Sequence, residues 1–248
     1  DLAVSACSSF SSLSIFRRAQ FLQEISVEIL NDSESILTRY VSESGLSKLR
    51  GQAELRRTIF QLNSYAEALL RGDVLGLSID FADNQIVPFR PDLRKMNVAV
   101  GPVVVFGASN FPLAFSTAGG DTVSALAAGC PVIYKAHPAH PETSKLVAQV
   151  IHRAVTDSAL PDGIFQHVEG GAKEGQALAV HPIAKAIAFT GSHYGGMALF
   201  KTASQRNEPI PVYAEMGSVN PIFTFEQKLS KDIAGSAKAF ISSLTLGV

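Results

Sequence analysis

The sequence predicts an α/β protein in which a doubly wound, mostly parallel sheet is preceded by an amino-terminal helical segment. Two observations lead to this fold class. Beyond residue 100, short apolar runs that suit buried strands alternate with helical patterns, and this alternation is typical of βαβ units. Before residue 80, apolar residues recur at steps of three and four, which indicates amphipathic helices.

The composition excludes several classes of protein. The 248 residues suffice for one large domain or two smaller ones, and 46% are hydrophobic and 17% charged, as in ordinary globular proteins. A net charge of −1 without a basic stripe argues against a nucleic-acid partner, and no apolar run is long enough to span a bilayer. Cys7 and Cys130 show no pairing pattern, so we expect a reducing, cytoplasmic compartment. No histidine spacing predicts a metal site.

Residues 1–80 are predicted to be helical. Their apolar residues form three stripes, and Gly45 and Gly72 end the second and the third. The stripes comprise Ala19, Leu22, Ile25 and Ile29, then Ile36, Leu37 and Tyr40, and finally Leu55, Ile59, Leu62, Ala66 and Leu69. We interpret them as core-facing surfaces that carry no chemistry. Residues 81–100 lose the helical period, and we expect loops and projecting strands there that could serve in oligomer contacts.

The βαβ unit of residues 101–135 is the part around which the other elements are organised. Its first strand is predicted at Val103–Phe106, because a continuous run of apolar, β-branched residues suits a strand buried on both faces. A helix with Pro112 in its first turn follows, since proline is tolerated there but not in the middle. Gly129 ends this helix, and Pro131–Tyr134 form the second strand.

Two polar side chains follow the carboxyl ends of these strands. Asn110 comes after the first strand and Lys135 after the second, and open α/β sheets bind ligands at this edge. Each residue also has a simpler interpretation. Asparagine at such a junction is often a cap or turn residue, and a lysine after a strand is often just solvated.

The remaining sequence continues the alternation and adds two candidate sites. Helices are predicted at residues 142–154, 174–180 and 197–203, and strands at 164–168, 186–189 and 212–215. Gly191, Ser192 and Gly196 lie between a strand and a helix, which is the position of a nucleotide-phosphate loop or of a plain tight turn. Glu215 ends an apolar strand, where a carboxylate could meet a cation, act as a general base or remain an exposed acid.

The order and spacing of four motifs resemble the aldehyde dehydrogenase superfamily, from Arg17 to the last residue. The motifs are FGASNFPLAFS, SALAAGCPVIYKAHPAHPETS, FTGSHYGG and AEMGSVNP. The run PDLRKM followed by GPVVVFGASNFPLAFSTAGGDT looks most like the branch of this family that acts on α-ketoglutarate semialdehyde (2,5-dioxopentanoate). The resemblance implies a Rossmann-like cofactor domain at residues 101–216 and the start of a catalytic domain at residues 217–248.

The resemblance also implies a chemistry and a set of site residues. Such enzymes oxidise a small aldehyde through a thioester on a cysteine and use NAD or NADP. Asn110 would donate its side-chain amide to the oxyanion, and Glu215 would be the general base for the deacylating water. The implied cofactor-binding residues are Ala108, Ser109, Lys135, His137, Pro138, Lys173, Gly191, Ser192, Gly196, Met216 and Gly217.

Two positions bear on the choice between NAD and NADP. Pro138 stands where those relatives often place a glutamate that pairs with the ribose hydroxyls, and it offers neither a carboxylate nor a hydroxyl group. Lys173 lies where NADP-using relatives can place an arginine for the 2′-phosphate, and lysine is a poorer bidentate partner. We therefore expect the protein to accept both cofactors.

The expected nucleophile lies beyond the sequence. A helix is predicted from Lys231 to Leu246, and in the family the cysteine motif follows this helix, so we expect the chain to end at Val248 just before it. The chain alone should then be inactive, and the longer protein would be a homo-oligomer. The alternatives are a stand-alone module that binds nucleotide or a partner without catalysis, and a relative that binds no nucleotide.

Overall fold

The computed structural model describes residues 1–245, which form seven β-strands and ten α-helices. The strands are β1 (Ser78–Asp80), β2 (Leu93–Lys95), β3 (Val103–Phe106), β4 (Val132–Lys135), β5 (Phe165–Val168), β6 (Ala186–Gly191) and β7 (Val212–Met216). The helices are α1 (Leu2–Ser11), α2 (Ile15–Asn31), α3 (Ser33–Ser44), α4 (Lys48–Arg71), α5 (Gly120–Ala127), α6 (Pro141–Asp157), α7 (Ala172–Val180), α8 (His193–Ser204), α9 (Glu226–Lys231) and α10 (Ile233–Thr245).

Strands β3 to β7 form one parallel sheet in the order β5-β4-β3-β6-β7. The chain winds outward from β3 through β4 to β5 and then returns to the other side of β3. This confirms the predicted doubly wound sheet. In the register, Phe106 lies opposite Lys135 on one side and Phe189 on the other. The carboxyl ends of β3, β4 and β6 therefore meet at one edge.

Both faces of the sheet are covered, which explains why β3 is apolar at every position. Val103 and Val105 join a core cluster built mainly with α1 to α6. Val104 and Phe106 point to the opposite face and join Leu199 and other side chains of α7 and α8. A strand sandwiched between two helical layers must be hydrophobic on both sides.

The burial of apolar side chains on α2, α3 and α4 confirms the predicted core-facing stripes. The core-facing residues of α2 and α4 are buried, and the sheet-side cluster includes Leu22, Ile25, Leu62 and Leu69. Helix α3 ends at Gly45 and α4 at Gly72, and both glycines adopt the left-handed conformation that the sequence predicted for helix stops. Cys130 is buried, and both cysteines are free thiols.

The predicted start of the helix after β3 is wrong. Pro112 lies in a non-helical segment, and α5 begins only at Gly120. The backbone N–H groups of Leu113 and Ala114 donate to the carboxylate of Glu54 on α4. A side chain about sixty positions away in sequence thus binds amides in this segment, and local sequence patterns carry no sign of it.

Two segments project from this core. Strands β1 and β2 pair as an antiparallel hairpin whose residues are all exposed. Strand β2 lies within residues 81–100, where projecting strands were expected, whereas β1 lies in the range that was predicted to be helical. The role of the hairpin in oligomer contacts stays a prediction. The described part of residues 217–248, which includes α9 and α10, is largely exposed. Among residues 1–245, no helix combines the length and apolar character that a membrane crossing requires.

Replacing Gly107 with alanine should destabilise the fold. A methyl group at this position would overlap the hydroxyl of Tyr134, which is fully buried and hydrogen-bonded to Ser116 Oγ at 2.6 Å. Because neither partner can move freely, we expect Gly107→Ala to lower the unfolding free energy by about 1–3 kcal/mol in thermal or urea unfolding. Gly217→Ala is the control, since nothing lies within 4 Å of its added methyl. Equal stability of the two variants would contradict the packing argument.

Candidate functional site

A cleft of about 480 Å³ lies along the carboxyl edge of the sheet. The strand ends contribute Phe106, Lys135 and Phe189 to its walls, and the first turns of α7 and α8 contribute glycines. Ligands bind at this edge in open α/β sheets, where the strand order reverses. In this fold the strand order reverses between β3 and β6.

Five of the predicted site residues line the cleft, and they are Ser109, Lys135, His137, Pro138 and Ser192. The others lie around it. Ala108 is buried just after β3, Gly191 ends β6, and Lys173 is exposed in the first turn of α7. Asn110 and Glu215 are outside the lining, one following β3 and the other on β7. The edge thus carries the predicted strand-end residues, while the lining of the cleft includes five of the eleven predicted cofactor-binding residues and neither of the two predicted catalytic ones.

Lys135 presents a poorly solvated charge to the cleft. Its side chain is 7% exposed, and within residues 1–245 its ammonium makes no hydrogen bond. Burial lowers the pKa of Lys135, and the negative charge of Glu174 opposes this shift. An ammonium with spare donors at the wall of a cleft is suited to bind hydroxyl or phosphate oxygens.

His137 and His140 form a stacked pair beside Lys135, with ring centroids 5.8 Å apart. Burial, with the nearby His140 and Lys135, lowers the pKa of His137 to about 4, so its ring is neutral near pH 7. His140 is fully buried, and its Nε2 lies 2.8 Å from the carbonyl oxygen of Ala108. This contact ties the loop after β4 to the loop after β3.

The first turn of α8 combines a capped helix end with a close approach to β7. Ser192 is the N-cap, and its Oγ accepts a hydrogen bond from the N–H of Gly195 at 3.2 Å. The helix begins four residues earlier than Met197, where the sequence predicted it. A methyl group on Gly196 would lie 2.5 Å from the sulfur of Met216, so glycine lets α8 pack against β7. Backbone N–H groups and the helix dipole favour an anion at such an end.

At the start of α7, one backbone N–H group already has a hydrogen-bond acceptor in the carboxylate of Glu174. The N–H of Gly171 donates to Glu174 at 2.7 Å, as in a capping box. Lys173 lies beside this cap and is exposed, so its ammonium is accessible from solvent. This turn is therefore less open to an anion than the first turn of α8.

Asn110 lies half-buried in the segment between β3 and α5. Its carbonyl oxygen accepts a hydrogen bond from Arg50 Nη2 at 2.6 Å. The sequence offered no sign of this contact, because Arg50 belongs to a helix that we interpreted as free of chemistry.

A second carboxylate lies close to Glu215, and sequence reasoning missed it. Glu215 is exposed on β7, opposite Thr190 of β6 in the register. The hydroxyl of Thr190 donates to Asp121 Oδ2 at 3.2 Å. Burial raises the pKa of Asp121, and the negative charge of Glu215 raises it further. Its place in the sequence could have identified this carboxylate, because Asp121 lies in the first turn of α5, the helix that starts at this same edge.

The described residues contain no group of three or more His, Cys, Asp or Glu side chains that could hold a metal ion.

Comparisons with known proteins agree on one family. Residues 1–245 match the profile described as "Aldehyde dehydrogenase family". The chain is 48% identical over 250 residues to alpha-ketoglutaric semialdehyde dehydrogenase 2 of Azospirillum brasilense, which covers 100% of this chain and 48% of that protein. It is 47% identical over 232 residues to alpha-ketoglutaric semialdehyde dehydrogenase of Acinetobacter baylyi, with 93% and 44% covered. The chain thus spans about half the length of these curated relatives.

Solved structures share the fold at lower identity. An NAD-dependent benzaldehyde dehydrogenase from Corynebacterium glutamicum aligns with a TM-score of 0.73 and 23% identity, covering 87% of this chain and 44% of that chain. The glyceraldehyde-3-phosphate dehydrogenase GapN from Methanocaldococcus jannaschii, complexed with NADP, aligns with a TM-score of 0.74 and 20% identity, covering 89% and 45%. At this identity the likeness concerns the fold.

Asp121→Asn should become more stabilising, relative to the wild type, as the pH rises. The folded-state pKa of Asp121 lies above its usual 3.8, so folded protein holds this proton longer than unfolded protein does. The contribution of Asp121 to the unfolding free energy of the wild type therefore falls as the pH rises from 3.8 through the folded-state pKa, and asparagine removes this loss. Thermal melts from pH 3.5 to 7 measure the difference.

Asp80→Asn is the control for this pH series, because Asp80 is exposed in the β1–β2 hairpin. We expect its melting temperature to follow that of the wild type across the range. A parallel pH response of the Asp121 and Asp80 variants would contradict the shifted pKa.

Proposed function

The chain belongs to the aldehyde dehydrogenase family, and from this premise we propose that it forms the cofactor-binding part of an enzyme that oxidises an aldehyde to a carboxylate. One observation carries the proposal. Asn110, Lys135 and Glu215 come from three different strand ends, and the parallel register brings those ends to one edge beside a cleft. An amide donor, an ammonium and a carboxylate along one edge are the groups that this chemistry needs.

The proposed substrate is α-ketoglutarate semialdehyde. The support is the identity of 48% and 47% to two proteins of that name, over 100% and 93% of this chain. Identity at that level over nearly the whole chain supports a shared substrate more strongly than the fold does. The residues that would contact the substrate are expected mainly in the part of the relatives that this chain does not cover.

The cleft residues fit a nicotinamide dinucleotide. The buried ammonium of Lys135 makes no hydrogen bond within the described residues, and about 480 Å³ lies within the usual range for a ligand site. Lys135 would hold the ribose hydroxyls, and Ala108, Ser109, His137 and Pro138 would form the wall around them. Gly191, Ser192 and Gly196 would lie against the pyrophosphate, with Met216 and Gly217 toward the nicotinamide. When bound, the nicotinamide accepts the hydride that the aldehyde carbon gives up.

The choice between NAD and NADP depends on charge near the adenosine ribose. Pro138 lines the cleft without a carboxylate, so nothing at this position repels a 2′-phosphate. Lys173 is exposed in the first turn of α7 and could approach such a phosphate. We propose that both cofactors bind.

Two residues of the chain would act on the reacting groups. The side-chain amide of Asn110 would donate to the carbonyl oxygen as it gains negative charge, and the carboxylate of Glu215 would take a proton from the water that releases the product. The attacking thiolate would come from a cysteine beyond Val248. Cys130 is unsuited to this role, because it is buried at the amino end of β4, opposite the cleft. The 248-residue chain alone would then bind the cofactor without turning over the aldehyde.

Cofactor titration of the 248-residue chain tests the binding proposal. Calorimetry should give NAD and NADP dissociation constants that differ by less than about a hundredfold. Lys135→Met should weaken both about tenfold to a hundredfold, because it removes charged hydrogen bonds to the ligand. Lys185→Met is the control, since Lys185 pairs with Glu208 at the amino end of β6. Absence of binding, or equal effects of the two substitutions, would contradict the proposal.

Oxidation assays of the longer reading frame test the catalytic proposal. We expect turnover of α-ketoglutarate semialdehyde to exceed that of other aldehydes in a small panel. Asn110→Ala should lower kcat about 10²–10³-fold, because it removes an oxyanion donor. Glu215→Gln should form the thioester but release product slowly, which appears as a burst followed by little turnover. A reading frame that ends at Val248, or full activity of both variants, would overturn this part.

A further inference from the structure

The segment between β3 and α5 carries the candidate oxyanion donor, yet it has no regular secondary structure over residues 107–119. Its backbone is held by hydrogen bonds within the segment and by groups from elsewhere in the chain. The carbonyl oxygen of Ala108 contacts His140 Nε2, and the N–H of Ala108 donates to the carbonyl oxygen of Phe115 at 2.9 Å. The stretch that follows Asn110 is held instead from the amino-terminal helix α4.

Glu54 of α4 makes the central contacts. Its side chain is 4% exposed, and its Oε2 accepts hydrogen bonds from the N–H groups of Leu113 at 3.1 Å and Ala114 at 3.3 Å. Its Oε1 accepts one from the hydroxyl of Tyr40 at 2.8 Å. A buried carboxylate is stable only where its oxygens are satisfied, and these donors, with Arg50, satisfy both oxygens.

Arg50, one helical turn before Glu54, holds the other end of the stretch. Its Nε lies 3.3 Å from Glu54 Oε1, and its Nη2 donates to the carbonyl oxygen of Asn110 at 2.6 Å. The guanidinium also lies over the ring of Phe111, 4.8 Å from the centroid. One planar group thus holds the backbone carbonyl of Asn110 and the ring of the next residue, Phe111, and is itself held by Glu54.

We propose that Arg50 and Glu54 are positioning residues that set the orientation of the Asn110 side chain through the backbone of residues 110–114. This inference rests on the role proposed above for Asn110. The pair anchors a carbonyl oxygen at Asn110 and two N–H groups three and four residues later, so the intervening peptides have little freedom to rotate. An oxyanion donor works only when it is aimed before the charge develops, and a misplacement of about 1 Å can cost about a hundredfold in rate.

The alternative is that Glu54 and Arg50 only stabilise the fold. The contacts favour the positioning role, because the carboxylate and the guanidinium both bind backbone atoms of the segment that carries Asn110. A purely structural role predicts a general loss of stability. Positioning predicts a local loss of order together with a loss in kcat that depends on Asn110.

Amide hydrogen exchange of the 248-residue chain gives a readout that needs no activity. Glu54→Gln keeps the shape of the side chain but removes its charge and replaces one acceptor oxygen with a donor. We expect exchange in peptides covering residues 110–116 to rise about tenfold or more, because a neutral amide with one acceptor oxygen cannot replace a carboxylate that accepts hydrogen bonds at both oxygens. Peptides from α2 and from β6 should be unchanged.

Asn63→Ala is the matched control on the same helix. Asn63 donates to Ser26 Oγ at 3.2 Å and so joins α4 to α2, away from the segment. It should leave the exchange of residues 110–116 unchanged. Should Glu54→Gln fold poorly, Arg50→Lys carries the same test, since lysine keeps the charge but cannot reach Glu54 and the Asn110 carbonyl oxygen together.

A double-mutant cycle in the longer, active protein tests the link to Asn110. Arg50→Lys and Glu54→Gln should each lower kcat about tenfold to a hundredfold while the dissociation constant of NADP stays within about twofold. In an Asn110→Ala background the same substitutions should cost less than about threefold, because the group that they position is already gone.

The outcomes separate this inference from the function on which it rests. Faster exchange, together with a kcat loss that disappears in the Asn110→Ala background, supports positioning. Unchanged exchange, or a kcat loss of the same size in both backgrounds, overturns positioning and leaves the proposed function intact. A longer protein that oxidises no aldehyde, or an Asn110→Ala variant with full activity, overturns the role of Asn110 and the inference with it.

Discussion

The candidate site depends on the parallel pairing of β3 with β4 on one side and with β6 on the other. This pairing places Phe106 between Lys135 and Phe189, so strands from different parts of the chain end at the same level. Because helices cover both faces of the sheet, the edge is where polar side chains can gather without being buried among apolar ones. The cleft, the candidate oxyanion donor and the candidate base all follow from this one arrangement.

The sequence predicted those features that depend on local chemistry. Apolar β-branched runs identified β3 and β4, and Gly45 and Gly72 identified the ends of α3 and α4, because only short-range backbone preferences are involved. The start of α5 was beyond prediction because Glu54 binds amides about sixty residues further along. The pairing of Asp121 with Thr190 depends in the same way on tertiary contact.

Two buried charges near the edge are handled in opposite ways. The carboxylate of Glu54 is 4% exposed and is satisfied by a tyrosine hydroxyl, a guanidinium and two backbone N–H groups. The ammonium of Lys135 is 7% exposed and makes no hydrogen bond within the described residues. A satisfied buried charge stabilises one conformation, whereas an unsatisfied one costs free energy until a ligand supplies the acceptor. The carboxylate of Glu54 is therefore suited to holding the protein's own backbone, and the ammonium of Lys135 is suited to binding a ligand.

The contacts of Arg50 and Glu54 on α4 with residues 110–114 also determine which parts of the fold could be exchanged between relatives. The parallel sheet, the loops that follow its strands, and helices α7 and α8 contain every residue assigned to the dinucleotide, so this part could pass between relatives as one unit. In the positioning role proposed above, however, the orientation of Asn110 also depends on α4, which ends before the β1–β2 hairpin. A chimera joined between residues 72 and 100 would therefore combine one parent's cofactor pocket with the other parent's support for the oxyanion donor. Because Tyr40 binds Glu54, the natural crossover point lies ahead of Tyr40.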